Sequence, residues 1–110
     1  KKPGNELNQA ILAYLDVLGV EAWRVNSGMM RGANGGLYRA CSRNGVSDIL
    51  GILPGGRFLA IEGKAKSDRV RPEQQVFLDM VNSRGGLAFV ARTLDDVAEH
   101  VLPLLNGRNA

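Results

Sequence analysis

The sequence predicts one α/β domain over residues 1–110, with elements in the order α-β-β-β-α-β-α. Three observations point there. Apolar residues recur at helical spacing near both ends of the chain and once in its second half. Short runs rich in Val, Ile, Leu and Phe lie between those segments. Glycine and proline clusters punctuate the joins.

Residues 5–18 read as an amphipathic helix, because Leu7, Ile11, Tyr14, Leu15 and Leu18 share one stripe. Asn5 can cap its start and Gly19 can end it. Residues 20–26 read as a short strand, with Trp23 assigned to the core. Residues 27–45 carry Gly28, Gly32, Gly35, Gly36 and Gly45 and read as a loop. Residues 48–53 form a second strand, Pro54-Gly55-Gly56 a turn, and residues 57–66 a third strand completing a hairpin. Pro72 suits the first turn of a helix that runs to Arg84 and is closed by Gly85-Gly86. Residues 87–91 are wholly apolar, as in a strand covered on both faces. Thr93 caps a last helix, with Asp96 spaced for the reciprocal contact.

Composition narrows the function. At 110 residues and 45% hydrophobic, the chain suits one core. Fourteen Lys and Arg against 11 acids give a net charge of +3, which permits a nucleic-acid partner without requiring one. A single cysteine, Cys41, excludes an internal disulfide framework and a cysteine-based zinc site, and it suits a reducing interior. No apolar run has the length of a membrane span, and no signal-peptide pattern is visible. His100 is the only histidine and falls late in a helix, so a histidine-dependent triad is not expected.

The charges that stand out are those inside apolar strands. Asp48 opens the second strand; Glu62 and Lys64 lie in the third. Strand alternation puts Glu62 and Lys64 on one face, about 6.6 Å apart, with Phe58 and Ala60 further back. Leu59, Ile61, Gly63 and Ala65 face the other way. Two carboxylates suit magnesium or manganese, and a nearby ammonium can steady a water or a phosphate oxygen. From spacing alone, a solvated pair on an exposed strand is the better reading of Glu62 and Lys64, because Glu-x-Lys is common in proteins. Gln74 shares the inward stripe of its helix with Phe77, Leu78 and Val81, whereas Gln75 turns outward with Asp79 and Asn82. An inward amide needs a partner, either the site or a local backbone group. Glu6, in the first turn of the first helix, suits the helix dipole, and it serves as a ligand only where that helix packs across the site. No acid falls between Glu21 and Asp48, while Arg24, Arg31, Arg39 and Arg43 do; Lys66, Arg69 and Arg71 follow the lysine. These cations are candidate DNA contacts or an ordinary solvated face.

The segments Gly45-Val46-Ser47-Asp48-Ile49-Leu50-Gly51, Phe58-Leu59-Ala60-Ile61-Glu62-Gly63-Lys64 and Pro72-Glu73-Gln74-x-x-Phe77-Leu78, with Gly85-Gly86 before a short strand, resemble the VRR-Nuc domain, a branch of the PD-(D/E)xK nuclease superfamily. An early Glu6, the Arg-x-Asn-x-Gly stretch at Arg24, Asn26 and Gly28, and Gln74 follow the family's order, from Glu6 to about Val101. The resemblance implies a restriction-endonuclease-like αβββαβ core, with a mixed sheet flanked by helices, and Mg²⁺- or Mn²⁺-dependent DNA cleavage. By that resemblance Asp48, Glu62 and the backbone carbonyl of Gly63 hold the metal. Lys64 is the catalytic lysine, Gln74 supports it and Glu6 completes the acidic cluster. Single-domain members look viral (phage) or bacterial, and they resemble Holliday-junction resolvases in being small, dimeric and selective for branched DNA. Two positions depart from the pattern. Ser47 stands where proline names the superfamily, and Gly63 stands where a bulky apolar residue is usual, which should leave a gap on the core side.

The expectation is a metal-dependent endodeoxyribonuclease cutting branched DNA as a homodimer in the cytoplasm, the host's if the chain is viral. A non-catalytic nucleic-acid-binding module of the same fold is the alternative, as is a less selective exonuclease or RNA-active nuclease.

Overall fold

The computed structural model describes residues 3–25, 29–39 and 43–107. The elements run α1 (Pro3–Val17), β1 (Glu21–Arg24), β2 (Met29–Arg31), β3 (Leu37–Arg39), β4 (Ile49–Leu53), β5 (Arg57–Gly63), α2 (Pro72–Ser83), β6 (Leu87–Ala91) and α3 (Leu94–Gly107). A four-stranded mixed sheet has the order β1-β4-β5-β6. The first three strands are antiparallel, and β6 runs parallel to β5 through the α2 crossover. No helix among the described residues is long and apolar enough to cross a membrane.

Two cores follow from strand alternation. Leu59 and Ile61 of β5 meet Ile49 and Leu53 of β4 and pack with Ile11 and Leu15 of α1 and Val97 and Val101 of α3. Ala60, one residue out of phase, packs on the other face against Phe77, Leu78 and Val81 of α2. Both faces of β5 are covered, and every residue from Leu59 to Gly63 is buried. Glu62 belongs to that run, on the α2 face. The α3 cap forms as its sequence suggests: the Asp96 amide donates to Thr93 Oγ1 at 3.2 Å, and Asp96 Oδ2 accepts from the Thr93 and Arg92 amides.

Two sequence expectations change. The segment read as a loop at 27–45 contains a second, two-stranded sheet: Met30 pairs with Tyr38 across a turn in which the Gly32 amide donates to the Gly36 carbonyl. Asn34-Gly35 at its tip, with Gly35 at φ +86°, is the ordinary hairpin signal, which the glycine density of the segment obscured. Trp23 is not core; it is 43% exposed. It sits on the edge strand β1, on the α2 face that it shares with Leu50 across the ladder, but α2 packs over β5 and β6 toward the opposite edge and does not cover it. Asn26, Ser27, Gly28, Cys41 and Ser42 lie outside the described residues.

One close approach sets where the site forms. Gly45 has φ +81°, and a Cβ there would collide with the carbonyl of Glu73 in the first turn of α2. Only glycine lets the segment leading to Asp48 lie against the start of α2. Gly19 has a similar φ, +78°, but open space around it. Gly45→Ala should therefore cost more stability than Gly19→Ala, by about 2 kcal/mol in chemical denaturation, since both bear the positive-φ strain and only one meets backbone. Equal losses would remove this role for Gly45.

Candidate active site

The site gathers at the end of the sheet where β4 begins and β5 ends. Asp48 directly precedes β4, and its carbonyl accepts from the Val25 amide at 2.8 Å, which ties it to the strand after β1. Ile49 pairs with Ile61, so the register brings Asp48 level with Glu62 on the α2 face. Lys64 follows β5, and its amide donates to the Ala91 carbonyl at 3.0 Å.

Glu62 is 1% exposed. Its Oε2 accepts from Gln74 Nε2 at 3.1 Å and lies 3.7 Å from Lys64 Nζ. Its Oε1 has no hydrogen-bond partner. Gln74 uses both ends of its amide. Oε1 accepts from the Arg71 backbone amide at 2.9 Å, closing the start of α2, and this orients Nε2 toward Glu62. The two partners considered from sequence, the site and the local backbone, are both engaged. Gln75 instead donates to Asp79 on the exposed face, at 2.9 Å. Asn82 is not idle there: its amide bonds the Ala88 backbone in both directions and pins the start of β6.

Burial pushes the Glu62 carboxyl up to about 8, helped by the negative charge of Asp48 and by the hydrogen bond that a proton on Glu62 can make to it, while Lys64 pulls the other way. Two carboxylates are two acceptors. A proton or a cation between them relieves the pair; neither carboxylate can donate to the other when both are ionised.

Beside the pair opens a cavity of about 630 Å³ whose walls include Asp48, Gly63, Asn8, Arg24, Ser67 and Arg71. Arg24 donates to Asn5 Oδ1 at 2.8 Å across its mouth. Arg71 reaches Glu73 in an exposed pair at 3.9 Å. Lys66 and Arg69 are exposed on the segment after Lys64, and Arg43 lies over the Phe77 ring, 5.5 Å from its centre. The side chains of Arg31 and Arg39 lie outside the described residues.

Glu6 is exposed, and the α1 residues that line the cavity are Gly4, Asn5 and Asn8. Among the described residues no group of three or more His, Cys, Asp or Glu is placed to hold a metal. Asp48 and Glu62 are a pair; Asp68 also lines the cavity, but it forms no three-acid group with them. Gly63 leaves no gap, because Asn8 Oδ1 occupies the place its Cβ would take.

Sequence reading missed Arg92. Its Nη1 bonds the carbonyls of Ala65 at 2.7 Å, Lys66 at 3.3 Å and Asp68 at 2.8 Å, clamping the segment that follows Lys64. An arginine after an apolar strand carries no distinguishing pattern; its role depends on β6 running parallel beside β5.

A raised carboxyl makes the folded state bind a proton that the unfolded state has already lost. Stability should therefore fall as pH rises from about 4.5 toward 8 and level off above. Glu62→Gln keeps the shape and donates to Asp48 without a charge. It should melt higher than the parent protein in metal-free buffer, with the gap growing across that window to roughly 5 °C or more. A gap that stays constant with pH would contradict the shift.

The VRR-NUC domain family model matches residues 8–94, a range containing Asp48, Glu62, Lys64 and Gln74. No curated protein and no solved structure matches the chain. With the motif order, the mixed sheet between helices and the convergent acid pair now in view, the chain belongs to the VRR-NUC family of nuclease domains, whose substrate is nucleic acid.

Proposed function

We propose that this chain is a divalent-metal-dependent DNA endonuclease that acts on branched DNA as a homodimer. The observation that carries the reading is the Glu62 carboxylate. It is buried, tethered through Oε2 by Gln74 and Lys64, and left with a free Oε1 beside a second carboxylate. A structural acid in a core would have both oxygens bonded.

The donor set fits a hard, oxygen-seeking cation such as Mg²⁺ or Mn²⁺. Asp48, Glu62 and the backbone carbonyl of Gly63 would hold it. When bound, it supplies Lewis acidity toward the scissile phosphate and acidifies a water. The rest is done by the chain. Gln74 fixes the rotamer of Glu62 from the first turn of α2. Lys64 keeps its ammonium on the Glu62 carboxylate, where it can orient a water or offset phosphate charge. Arg92 holds the loop after Lys64 rigid. Arg24 and Arg71, in the cavity wall, offer guanidinium forks to a DNA backbone. Branched DNA and the dimer rest on the family resemblance and on geometry: one small site cuts one strand, and symmetric cutting of two needs a two-fold partner.

A gel assay comparing a four-way junction, flap, fork, duplex and single strand tests this, each with Mg²⁺, Mn²⁺ or EDTA. Paired cuts in the junction that require metal are expected. Asp48→Ala and Glu62→Ala should abolish cleavage, by 10³-fold or more on the order of an essential electrostatic group, and leave DNA binding intact. Tight junction binding with no cutting under any metal would favour the non-catalytic module. Gln74→Ala should lower the cleavage rate well beyond Gln75→Ala, and equal effects would remove the role of the inward amide.

A further inference from the structure

Asn8 lies in the second turn of α1 and is 3% exposed. Its side-chain oxygen has no hydrogen-bond partner. Leaving a buried amide oxygen unbonded costs about 1–3 kcal/mol, so it calls for an explanation. Its position is enforced: Oδ1 occupies the place a Cβ on Gly63 would take, so any other residue at 63 would evict it. Asn8, Gly63 and Asp48 line the same cavity.

Two further orphans belong to the same end of the sheet. Among the described residues, the buried side-chain polar atoms without partners are Asn8 Oδ1, Ser47 Oγ and Glu62 Oε1. Glu62 is next to Gly63 in sequence. Ser47 is two residues before Ile49, whose partner is Ile61, so the same register brings it level with Gly63. Asn8 Oδ1 and Ser47 Oγ therefore lie on the Gly63 side of β5 and Glu62 Oε1 on the α2 side of the preceding residue, all at the end of the sheet where β5 stops.

We propose that Asn8, and not Glu6, is the α1 residue of the metal site, presenting its carboxamide oxygen to the bound divalent cation directly or through one water. The inference rests on the nuclease reading above and deepens it. Carboxamide oxygens are ordinary ligands for hard cations. The neutral amide also suits the charge balance. Asp48 and Glu62, both ionised, already neutralise one divalent ion, and a third acid would leave the ligand set overcharged. Gly63 and Asn8 then act as a unit: the missing side chain makes the room that the amide oxygen fills.

Mn²⁺ titrations followed by electron paramagnetic resonance, on metal-free protein with folding checked by circular dichroism, test the assignment. Asn8→Ala should weaken Mn²⁺ binding by roughly tenfold, the scale of a lost supporting ligand. Glu6→Ala should bind as the parent protein does, and Asp48→Ala should lose binding. Wild-type affinity in folded Asn8→Ala, with binding lost in Asp48→Ala, would overturn the role of Asn8 and leave the acid pair standing. Retained binding in Asp48→Ala would overturn the metal site itself. Should Asn8→Ala fail to fold, the unmutated protein decides: Mg²⁺ should shift the Asn8 side-chain amide resonances, and resonances that stay fixed while Mg²⁺ binds would overturn the proposal.

Discussion

Two carboxylates brought face to face at the end of a covered sheet impose the constraint from which the rest of this site follows. Glu62 is placed by a strand buried on both sides, so its side chain cannot leave for solvent. Asp48 is placed by the opposite strand of the same hairpin. Ionised together they repel, and burial strengthens the repulsion. The surroundings lessen the cost without removing it. Lys64 contributes a positive charge and Gln74 a donor, both to Oε2. Oε1 is left to a proton or a metal ion. An arrangement optimised for stability alone would have replaced the acid with an apolar residue such as its neighbours Ala60 and Ile61. The cost is consistent with a site kept for chemistry.

The scaffold around the pair serves to hold it still. Gly45 lets the chain before Asp48 press against the first turn of α2. That same turn carries Gln74, which closes the helix start with one end of its amide and fixes Glu62 with the other. On the opposite side Arg92 clamps the loop after Lys64 through three carbonyls. Each device acts on backbone or on a short side chain. They are the means by which a small domain with few layers can hold these side chains within a narrow tolerance.

Much of this was legible in the sequence, for identifiable reasons. Phase arguments worked where periodicity is strong: the α2 stripe separated Gln74 from Gln75, and strand alternation separated Glu62 from Ile61. Motif order then supplied the family. What stayed hidden depends on contacts between distant segments. Asn8 reads as one more polar residue on an amphipathic helix until α1 is packed against Gly63. Arg92 acquires its three acceptors only once β6 is paired with β5. Trp23 was assigned to the core by residue type, but strand order puts β1 at the sheet edge, away from α2. The β2–β3 hairpin was masked by glycines that also mark loops. Glu6 fitted the expected order in sequence, but helix phase turns it outward, and the cavity wall from α1 is Gly4, Asn5 and Asn8.

The most direct test of the central claim is the ionisation of Glu62 itself, read by carbon-13 NMR of its labelled carboxyl during a pH titration of metal-free protein. The account predicts a midpoint near 8, with protonation suppressed when Mg²⁺ is added. A midpoint near the ordinary 4.5, indifferent to Mg²⁺, would mean the carboxylate is comfortably satisfied where it stands and has no ion to hold.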